Sequence, residues 1–227
     1  MPVIYLIRHG QASLYSDDYD QLSEIGRKQS LILGKQLASR GIAPETIETG
    51  TLNRHRQTME GCLEGMQQTC DYTTREEWNE YDHQDLLLKP RPQLGSFSEF
   101  VSEVVAREQP TSYLERALKK SVEDWLADKY EYQETWAAFK SRVNTRLSAL
   151  AGAMESGETA IIFTSGGPIS VALMRCLTLP DKAFIQLQHT IVNASISKFI
   201  VSKGQIRLSS LNEHGYLESA KGLLTYR

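Results

Sequence analysis

The chain has 227 residues, 41% of them hydrophobic and 23% charged, which is enough to bury a sizeable core in one domain. Its formal net charge is only −3 and its lysines and arginines are not clustered, so binding to nucleic acid or to an anionic membrane surface is not expected. No basic segment followed by an apolar run opens the chain, and no apolar run approaches membrane-spanning length. We therefore expect a cytoplasmic protein that acts on a small molecule.

The cysteines support the same expectation. Cys62, Cys70 and Cys176 include no CxxC pair and cannot all be bridged within one chain. That usage favours a reducing compartment, in which we expect the cysteines to serve as small apolar side chains.

An apolar run at residues 3–7 is followed directly by Arg8, His9 and Gly10. Such a run is typical of a strand buried on both faces of a parallel sheet, and the glycine allows the chain to turn after it. In open α/β sheets, ligands bind in the crevice at the carboxyl ends of the strands. Arg8 and His9 are therefore placed for chemistry, although a capped strand with a basic surface residue has the same pattern.

The next segments continue an α/β pattern. Ser23 is a favourable N-cap for a helix that ends at about Gly41, and Thr46–Thr49 is predicted to be a second buried strand. A second helix follows that strand at once, with apolar residues at helical spacing. Arg54 lies in its first turn and is expected to face the same crevice as His9.

The middle of the chain has a different pattern, marked by the segment Lys89-Pro90-Arg91-Pro92. Because proline cannot continue a helix or lie in a central strand, we predict a helical insertion of about residues 82–133 in one domain that spans residues 1–227. Two amphipathic helices are predicted within it, one from residue 97 that Gln109-Pro110 closes and one with an apolar stripe over residues 114–125, and a third helix follows over about residues 135–154. Lys89, Arg91 and Arg107 are candidates for contact with an anionic substrate, although solvated charges have the same pattern.

A second junction between a strand and a helix follows the insertion. Thr159–Thr164 is predicted to be a buried strand, and Ser165, Gly166, Gly167 and Pro168 open an apolar helix that runs to about residue 177. Proline suits the first helical turn, and the glycines allow an anion to approach the N–H groups of that turn. A tight turn between strand and helix has the same pattern.

The end of the chain predicts a hairpin. Residues 195–201 and 205–208 flank Lys203-Gly204, and their pairing would give the sheet an antiparallel edge. The residues after 212 are interpreted as a tail.

Three junctions thus bring Arg8, His9, Arg54 and the amides of Gly166 and Gly167 to the carboxyl ends of three strands. Two guanidinium groups and a helix N-terminus are suited to a tetrahedral oxyanion such as phosphate. A neutral imidazole in that field can attack phosphorus and form a phosphohistidine, which splits phosphoryl transfer into two steps. A general acid must then protonate the leaving oxygen.

Three motifs carry a family resemblance: Arg8-His9-Gly10 after an apolar strand, Leu22-Ser23-x-x-Gly26-Arg27-x-Gln29, and Leu52-x-Arg54-x-x-Gln57-Thr58. Together they cover about the first quarter of the chain and are similar to motifs of the histidine phosphatase superfamily, in the branch that includes cofactor-dependent phosphoglycerate mutases. The resemblance implies a three-layer α/β/α fold with a mostly parallel sheet, an antiparallel edge strand and a helical insertion over the active site.

The resemblance also implies roles for individual residues. His9 is the expected nucleophile, and Arg8 and Arg54 are expected to hold the phosphoryl group. Gln11, Ser165 and Gly166 are expected to contact the substrate. The family's general acid is a glutamate in a short segment after the second helix, where Glu80 is the best match and where Glu76, Glu77 and Asp82 are alternatives.

One departure from the family pattern affects the expected activity. The family normally has a second histidine at the position of Ser165, and its absence removes a charge-assisted hydrogen bond that corresponds to about 10- to 100-fold in rate. His189 is a candidate to replace it. His55, His83 and His214 are expected to be solvated.

We therefore predict a phosphatase that hydrolyses a small phosphomonoester without a metal or another cofactor. A phosphoglycerate mutase-type phosphotransferase is an alternative, although Gln11-Ala12-Ser13-Leu14-Tyr15 departs from the Glu-Ser-x-Trp-Asn run that such mutases carry. A catalytically weakened protein that only binds a phosphate ligand is a third possibility, because of Ser165. A metal hydrolase is less expected, since Asp17, Asp18 and Asp20 have no histidines at metal-ligand spacing. No pattern indicates the oligomeric state.

Overall fold

The computed structural model describes residues 1–13, 20–218 and 221–226. The strands are β1 (Val3–Arg8), β2 (Thr46–Thr49), β3 (Thr73–Thr74), β4 (Thr159–Thr164), β5 (Ile196–Ser202) and β6 (Gln205–Glu213). The α-helices are α1 (Glu24–Ser39), α2 (Asn53–Met66), α3 (His83–Leu88), α4 (Phe97–Val105), α5 (Pro110–Leu126), α6 (Trp136–Ala153), α7 (Gly166–Leu177) and α8 (Ala183–Thr190). Single 3-10 turns lie at Glu76–Trp78 and Gly215–Leu217. No helix among the described residues is long and apolar enough to cross a membrane.

The strands form one sheet in the order β3-β2-β4-β1-β5-β6. β1, β4, β2 and β3 run parallel, whereas β5 is antiparallel to β1 and pairs with β6 as a hairpin. This confirms the α/β class, the mostly parallel sheet and the antiparallel edge. The hairpin extends five residues further than the sequence predicted, to Glu213.

The two faces of the sheet are covered by different helices. On β1, Ile4 and Leu6 point to the core formed with α6 and α7, while Tyr5 and Ile7 point to the core formed with α1 and α2. Alternate side chains of a strand face opposite sides, so the continuous apolar run is buried on both sides. The predicted three-layer α/β/α arrangement is confirmed.

The helices α3, α4 and α5 occupy the predicted insertion. α4 and α5 were expected from their apolar stripes, but α3 and α8 were not. A small core around Leu87, Phe100 and Ala117 holds the insertion helices together. Trp125 on α5 packs against Phe139 on α6, with ring centroids 5.4 Å apart, and so joins the insertion to the main core.

The residues after 212 are not a loose tail. The side chains of Leu217 and Leu223 are buried in the core under α1 and α2. The backbone oxygen of Tyr226 accepts a hydrogen bond from Arg8. The expectation of a tail was wrong. The packing depends on a few widely spaced apolar residues, which give no recognisable pattern in the sequence.

The carboxyl ends of β1, β4 and β2 meet at one edge of the sheet. Arg8 pairs with Thr164 in the register of β1 and β4, and the His9 N–H donates to Thr164 O at 2.9 Å. Gly50, which follows β2, donates its N–H to Phe163 O at 3.1 Å. Residues 9, 165 and 50 therefore lie side by side, each directly after the carboxyl end of its strand.

Candidate active site

His9 lies at the exit of β1 and is 6% exposed. Its Nδ1 is 2.7 Å from Gly10 O, and since a carbonyl can only accept, Nδ1 carries the proton. In the neutral ring the lone pair is then on Nε2. Burial, followed by the charges of Arg54 and Arg8, holds the pKa of His9 well below its usual value, so the imidazole is neutral at neutral pH.

Several motif residues hold the backbone around His9. The Gly10 N–H donates to Thr58 Oγ1 at 2.9 Å, and that hydroxyl donates to Arg54 O at 2.7 Å. Gln57 accepts the Leu22 N–H at 2.8 Å. The last two residues of the Leu52-x-Arg54-x-x-Gln57-Thr58 motif therefore tie α2 to the loop that follows β1.

Arg8 points from β1 towards the N-terminus of α7. A Cβ atom built on Gly166 would lie 3.8 Å from Arg8 Nε. Arg8 Nη1 donates to the backbone oxygens of Ile191 and Tyr226. Arg8 thus joins the site to two distant backbone segments as well as bringing a positive charge to it.

Arg54 lies in the first turn of α2, as predicted, and is 7% exposed. Its Nη1 is 2.8 Å from Asp20 Oδ1, and Asp20 Oδ2 accepts the N–H of Asn53 at 2.7 Å. The sequence did not indicate this ion pair. Asp17 and Asp18, the other two aspartates considered as metal ligands, lie outside the described residues.

Glu80 follows the 3-10 turn Glu76–Trp78 and meets the first turn of α7. Its Oε2 accepts the Gly167 N–H at 3.1 Å, and its Oε1 accepts the Tyr81 N–H at 3.2 Å. A Cβ atom on Gly167 would lie 2.0 Å from Oε1, so only glycine allows this approach. Burial raises the pKa of the Glu80 carboxyl, against the opposing effects of the Gly167 N–H and Arg54.

Within the part of the chain that the structure describes, none of the three alternatives to Glu80 forms a hydrogen bond or ion pair with the first turn of α7. Glu76 is exposed and Glu77 is partly exposed, each in the 3-10 turn before Glu80. Asp82 caps α3, since its Oδ1 accepts the Gln84 N–H at 2.9 Å.

A partly buried network of hydrogen bonds holds the segment that carries Glu80. Arg142 on α6 donates to the backbone oxygens of Glu77 and Asn79, both at 2.9 Å, and forms a two-point ion pair with Glu134. The Asn79 side chain accepts the Thr51 N–H at 2.8 Å. The segment is therefore fixed to α6 and to the turn between β2 and α2.

Ser165 is the N-cap of α7 and is fully buried. A serine at this position usually accepts an N–H of the first helical turn. Here Gly167 donates to Glu80, and Pro168 has no N–H. The Ser165 Oγ instead lies 2.6 Å from His55 Nε2.

The expectation that His55 is solvated was wrong. Its side chain is fully buried, and its ring centroid is 5.7 Å from that of His9. The sequence did contain a signal, because His55 lies four residues before Met59 and seven before Cys62, on the buried stripe of α2.

The other residues that the sequence singled out lie at or beyond the edge of this cluster. Burial and then the charge of Arg54 lower the pKa of His83, and partial burial and then the charge of Arg8 lower the pKa of His189. The Gln11 side chain accepts a hydrogen bond from Ser23 Oγ at 2.8 Å and so contacts the start of α1. His83 and His214 are partly buried. His189 is exposed at the end of α8, on a surface groove that it shares with Lys119 on α5.

The structure therefore brings together Arg8, His9, Arg54, Glu80, Ser165 and Gly166, and adds His55 and Gly167. Over residues 1–13, 20–218 and 221–226, no group of three or more His, Cys, Asp or Glu side chains is arranged to hold a metal ion.

Comparisons with solved structures show the same fold. YhfR of Bacillus stearothermophilus is 18% identical, with a TM-score of 0.68 over 95% of this chain and 99% of that one. A variant of phosphoserine phosphatase from Entamoeba histolytica, solved with phosphoserine, is 15% identical, with a TM-score of 0.67 over 96% and 100%. Phosphoglycerate mutase from Bacillus anthracis is 16% identical, with a TM-score of 0.65 over 94% of each chain.

A search of curated proteins found no match to the chain. The sequence profile of the histidine phosphatase superfamily, branch 1, matches residues 4–214. Because this match spans nearly the whole sequence, the chain belongs to the histidine phosphatase superfamily, branch 1.

Proposed function

We propose that the protein is a phosphatase that hydrolyses a small phosphomonoester through a phosphohistidine on His9, without a metal. The observation that carries the proposal is the hydrogen bond from His9 Nδ1 to Gly10 O, which leaves the lone pair on Nε2 inside a cluster with two arginines. The structural neighbours solved as phosphoserine phosphatase and phosphoglycerate mutase support a small phosphorylated substrate.

In the first step His9 Nε2 attacks phosphorus, and the bond between phosphorus and the ester oxygen breaks. The guanidinium groups of Arg8 and Arg54 and the first-turn N–H of Gly166 stabilise the charge on the transferring oxygens. Glu80 gives its proton to the leaving oxygen. Its raised pKa favours the protonated carboxyl that this step needs.

In the second step water attacks phosphorus and the bond between nitrogen and phosphorus breaks. Glu80, now a carboxylate, accepts a proton from that water. Inorganic phosphate leaves, and both His9 and Glu80 return to their starting protonation states. The cycle needs neither a metal nor a redox partner.

Hydrolysis of p-nitrophenyl phosphate and phosphoserine, with and without a chelator, tests the proposal. We expect turnover that the chelator does not change, and a loss of at least about 1,000-fold in His9→Ala. His214→Ala, which changes a partly buried histidine beyond β6, is the matched control and is expected to keep wild-type activity. Brief incubation with 32P-labelled substrate is expected to label wild type with an acid-labile, base-stable phosphoryl group.

An active His9→Ala variant would overturn the nucleophile assignment. Turnover that a chelator abolishes would overturn the metal-free mechanism. Binding of phosphate without any turnover would favour the non-catalytic alternative.

A phosphoglycerate mutase-type transfer is the second candidate, favoured by the fold shared with the Bacillus anthracis mutase. Such an enzyme must keep the phosphohistidine until it meets an acceptor hydroxyl. Product analysis with 3-phosphoglycerate separates the two, because a phosphatase releases inorganic phosphate and a mutase yields an isomeric phosphoglycerate. Leu14 and Tyr15, two of the residues that depart from the mutase pattern, lie outside the described residues.

A further inference from the structure

His55 and Ser165 form a buried pair that the two steps above leave unused. Neither side chain is exposed, and His55 Nε2 lies 2.6 Å from Ser165 Oγ. The His55 ring also lies beside that of His9, with centroids 5.7 Å apart. The pair therefore extends from the ring of the proposed nucleophile to the N-cap of α7.

The surroundings of His55 select one of its two neutral tautomers. Burial and the charge of Arg54 hold the pKa of His55 well below its usual value, so the ring carries one proton. Within the described part of the chain, Nδ1 is buried and has no hydrogen-bond partner. A proton on Nδ1 would leave a buried donor unsatisfied, whereas a proton on Nε2 is donated to Ser165 Oγ. The Nε2–H tautomer is therefore favoured.

This tautomer determines what Ser165 can do. Its oxygen accepts from His55, so its own hydrogen is left to donate. An N-cap serine oxygen usually accepts a backbone N–H of the first helical turn. Those N–H groups do not compete with His55 for the Ser165 oxygen, since the Gly167 N–H is donated to Glu80 and Pro168 has none. A hydroxyl that accepts one hydrogen bond becomes a better donor for another.

We propose that His55 is a positioning residue that holds the Ser165 hydroxyl as a hydrogen-bond donor to a phosphoryl oxygen at His9. The inference rests on the proposed function, because it concerns the same phosphoryl group. This role of His55 replaces the expectation that the site is weakened by serine at position 165, where the family has a histidine. Helix α2 brings a different imidazole, that of His55, to the site.

Gly50 makes room for this arrangement. A Cβ atom at residue 50 would lie 2.2 Å from His55 Nδ1 and 2.7 Å from Asn79 Oδ1. Any other residue would push the imidazole away from Ser165. The turn after β2 is thus shaped to the same ring that α2 presents.

Kinetics of single and double variants test the pair. A donor aimed at charge that develops in the transition state acts on kcat more than on KM. Ser165→Ala and His55→Leu are each expected to lower kcat about 10- to 100-fold, with KM changed less than about threefold. The double variant is expected to lose no more than either single variant, since both act through one hydrogen bond. Unchanged kcat in either single variant, or losses that multiply in the double, overturns the proposal.

Glutamine and asparagine at residue 55 form a matched pair that separates positioning from packing. The glutamine amide nitrogen is as many bonds from Cα as Nε2, whereas the asparagine nitrogen corresponds to Nδ1. His55→Gln is expected to keep about 10-fold more kcat than His55→Asn, at similar thermal stability. Equal kcat in the two variants contradicts the proposal.

Two measurements need no turnover. Long-range 15N–1H spectra, assigned with single-histidine variants, are expected to show the Nε2–H tautomer of His55. Orthovanadate is expected to bind wild type about 10-fold or more tightly than Ser165→Ala or His55→Leu. An Nδ1–H tautomer, or equal vanadate affinity, overturns the proposal.

The failure of this inference is distinguishable from failure of the proposed function. An inactive His9→Ala with fully active His55→Leu and Ser165→Ala overturns the inference alone. A wild type that forms no phosphohistidine overturns the proposed function, and the tautomer and vanadate affinities then decide the inference.

Discussion

The phosphoryl site and the helical insertion differ in how far apart in the sequence the partners of their polar contacts lie. In the site, His55 contacts Ser165 across 110 residues, and Arg8 donates to Tyr226 O across 218. In the insertion, Lys89 at the end of α3 pairs at 3.7 Å with Asp85, four residues earlier in that helix. The insertion repeats this local pattern, with ion pairs from Arg107 to Glu103 and from Lys120 to Asp124.

The difference has a physical consequence. Pairs four residues apart form whenever their helix forms and do not depend on the rest of the fold. Contacts across 100 residues or more form only when the sheet and its helices are assembled. The insertion can therefore change its surface without moving the site, whereas the site transmits a change in one element to the others.

The largest effect of such a change is expected from Gly167→Ala. The new methyl group would lie 2.0 Å from Glu80 Oε1 and would displace the proposed general acid without altering it chemically. We expect a loss of about 100-fold or more in kcat/KM for alkyl phosphates, because general acid catalysis contributes that much. For p-nitrophenyl phosphate, whose leaving group needs little protonation, the loss should be much smaller.

Gly152→Ala is the control for this substitution. Gly152 is an exposed position near the end of α6 where a Cβ atom meets nothing within 4 Å. We expect unchanged kinetics and a gain of about 0.5–1 kcal/mol in the free energy of unfolding. Equal losses on alkyl and aryl phosphates in Gly167→Ala would show that the methyl group disrupts phosphoryl binding rather than the acid.

Arg54→Lys should have the next largest effect. A lysine ammonium keeps the charge but cannot form the planar fork that binds two phosphoryl oxygens while Asp20 orients it. We expect kcat/KM to fall about 10- to 100-fold, with weaker inhibition by inorganic phosphate. Arg56→Lys is the matched control, because Arg56 lies two residues after Arg54 in α2 and its side chain is half exposed. Wild-type kinetics in Arg54→Lys would contradict a phosphate clamp at this residue.

The pH dependence of kcat/KM should distinguish the ionisation of His9 from that of Glu80. Glu80 must be protonated to act as the acid, so activity on alkyl phosphates should fall about 10-fold per pH unit above its raised pKa. His9 must be neutral, so activity should also fall at pH values below its lowered pKa. The alkaline limb should vanish in Glu80→Gln. Ionisation of the substrate phosphate affects wild type and Glu80→Gln alike, so it cancels in the ratio of their kcat/KM values.

The fold was predictable wherever the apolar pattern was dense. β1, β4 and α6 bury continuous or regularly spaced apolar residues, which determine their type and ends. β3 has two exposed threonines and α8 buries only Phe184 among its side chains, so neither had a pattern to detect. Both are held by neighbouring elements rather than by their own composition.

The candidate site was predictable where strand ends determine position. Arg8, His9 and Arg54 lie beside one another because β1, β2 and β4 are parallel neighbours. The partners of their side chains were not predictable. Asp20 reaches Arg54, and His55 reaches Ser165, only because the assembled fold closes loops that sequence spacing cannot measure.

The smallest effect should come from the charges of the insertion. Lys89 and Arg107 were candidates to bind an anionic substrate, but each lies just past the end of a helix and pairs with a carboxylate four residues earlier in that helix. We expect the double variant Lys89→Gln/Arg107→Gln to keep kcat/KM for phosphoserine within about twofold of wild type, since exposed pairs of this kind contribute little. A KM that rises about 10-fold at unchanged kcat would instead place part of the substrate anion against the insertion. If that rise disappears at high salt, the two residues attract the substrate through long-range charge, because screening weakens exposed charges far more than buried hydrogen bonds.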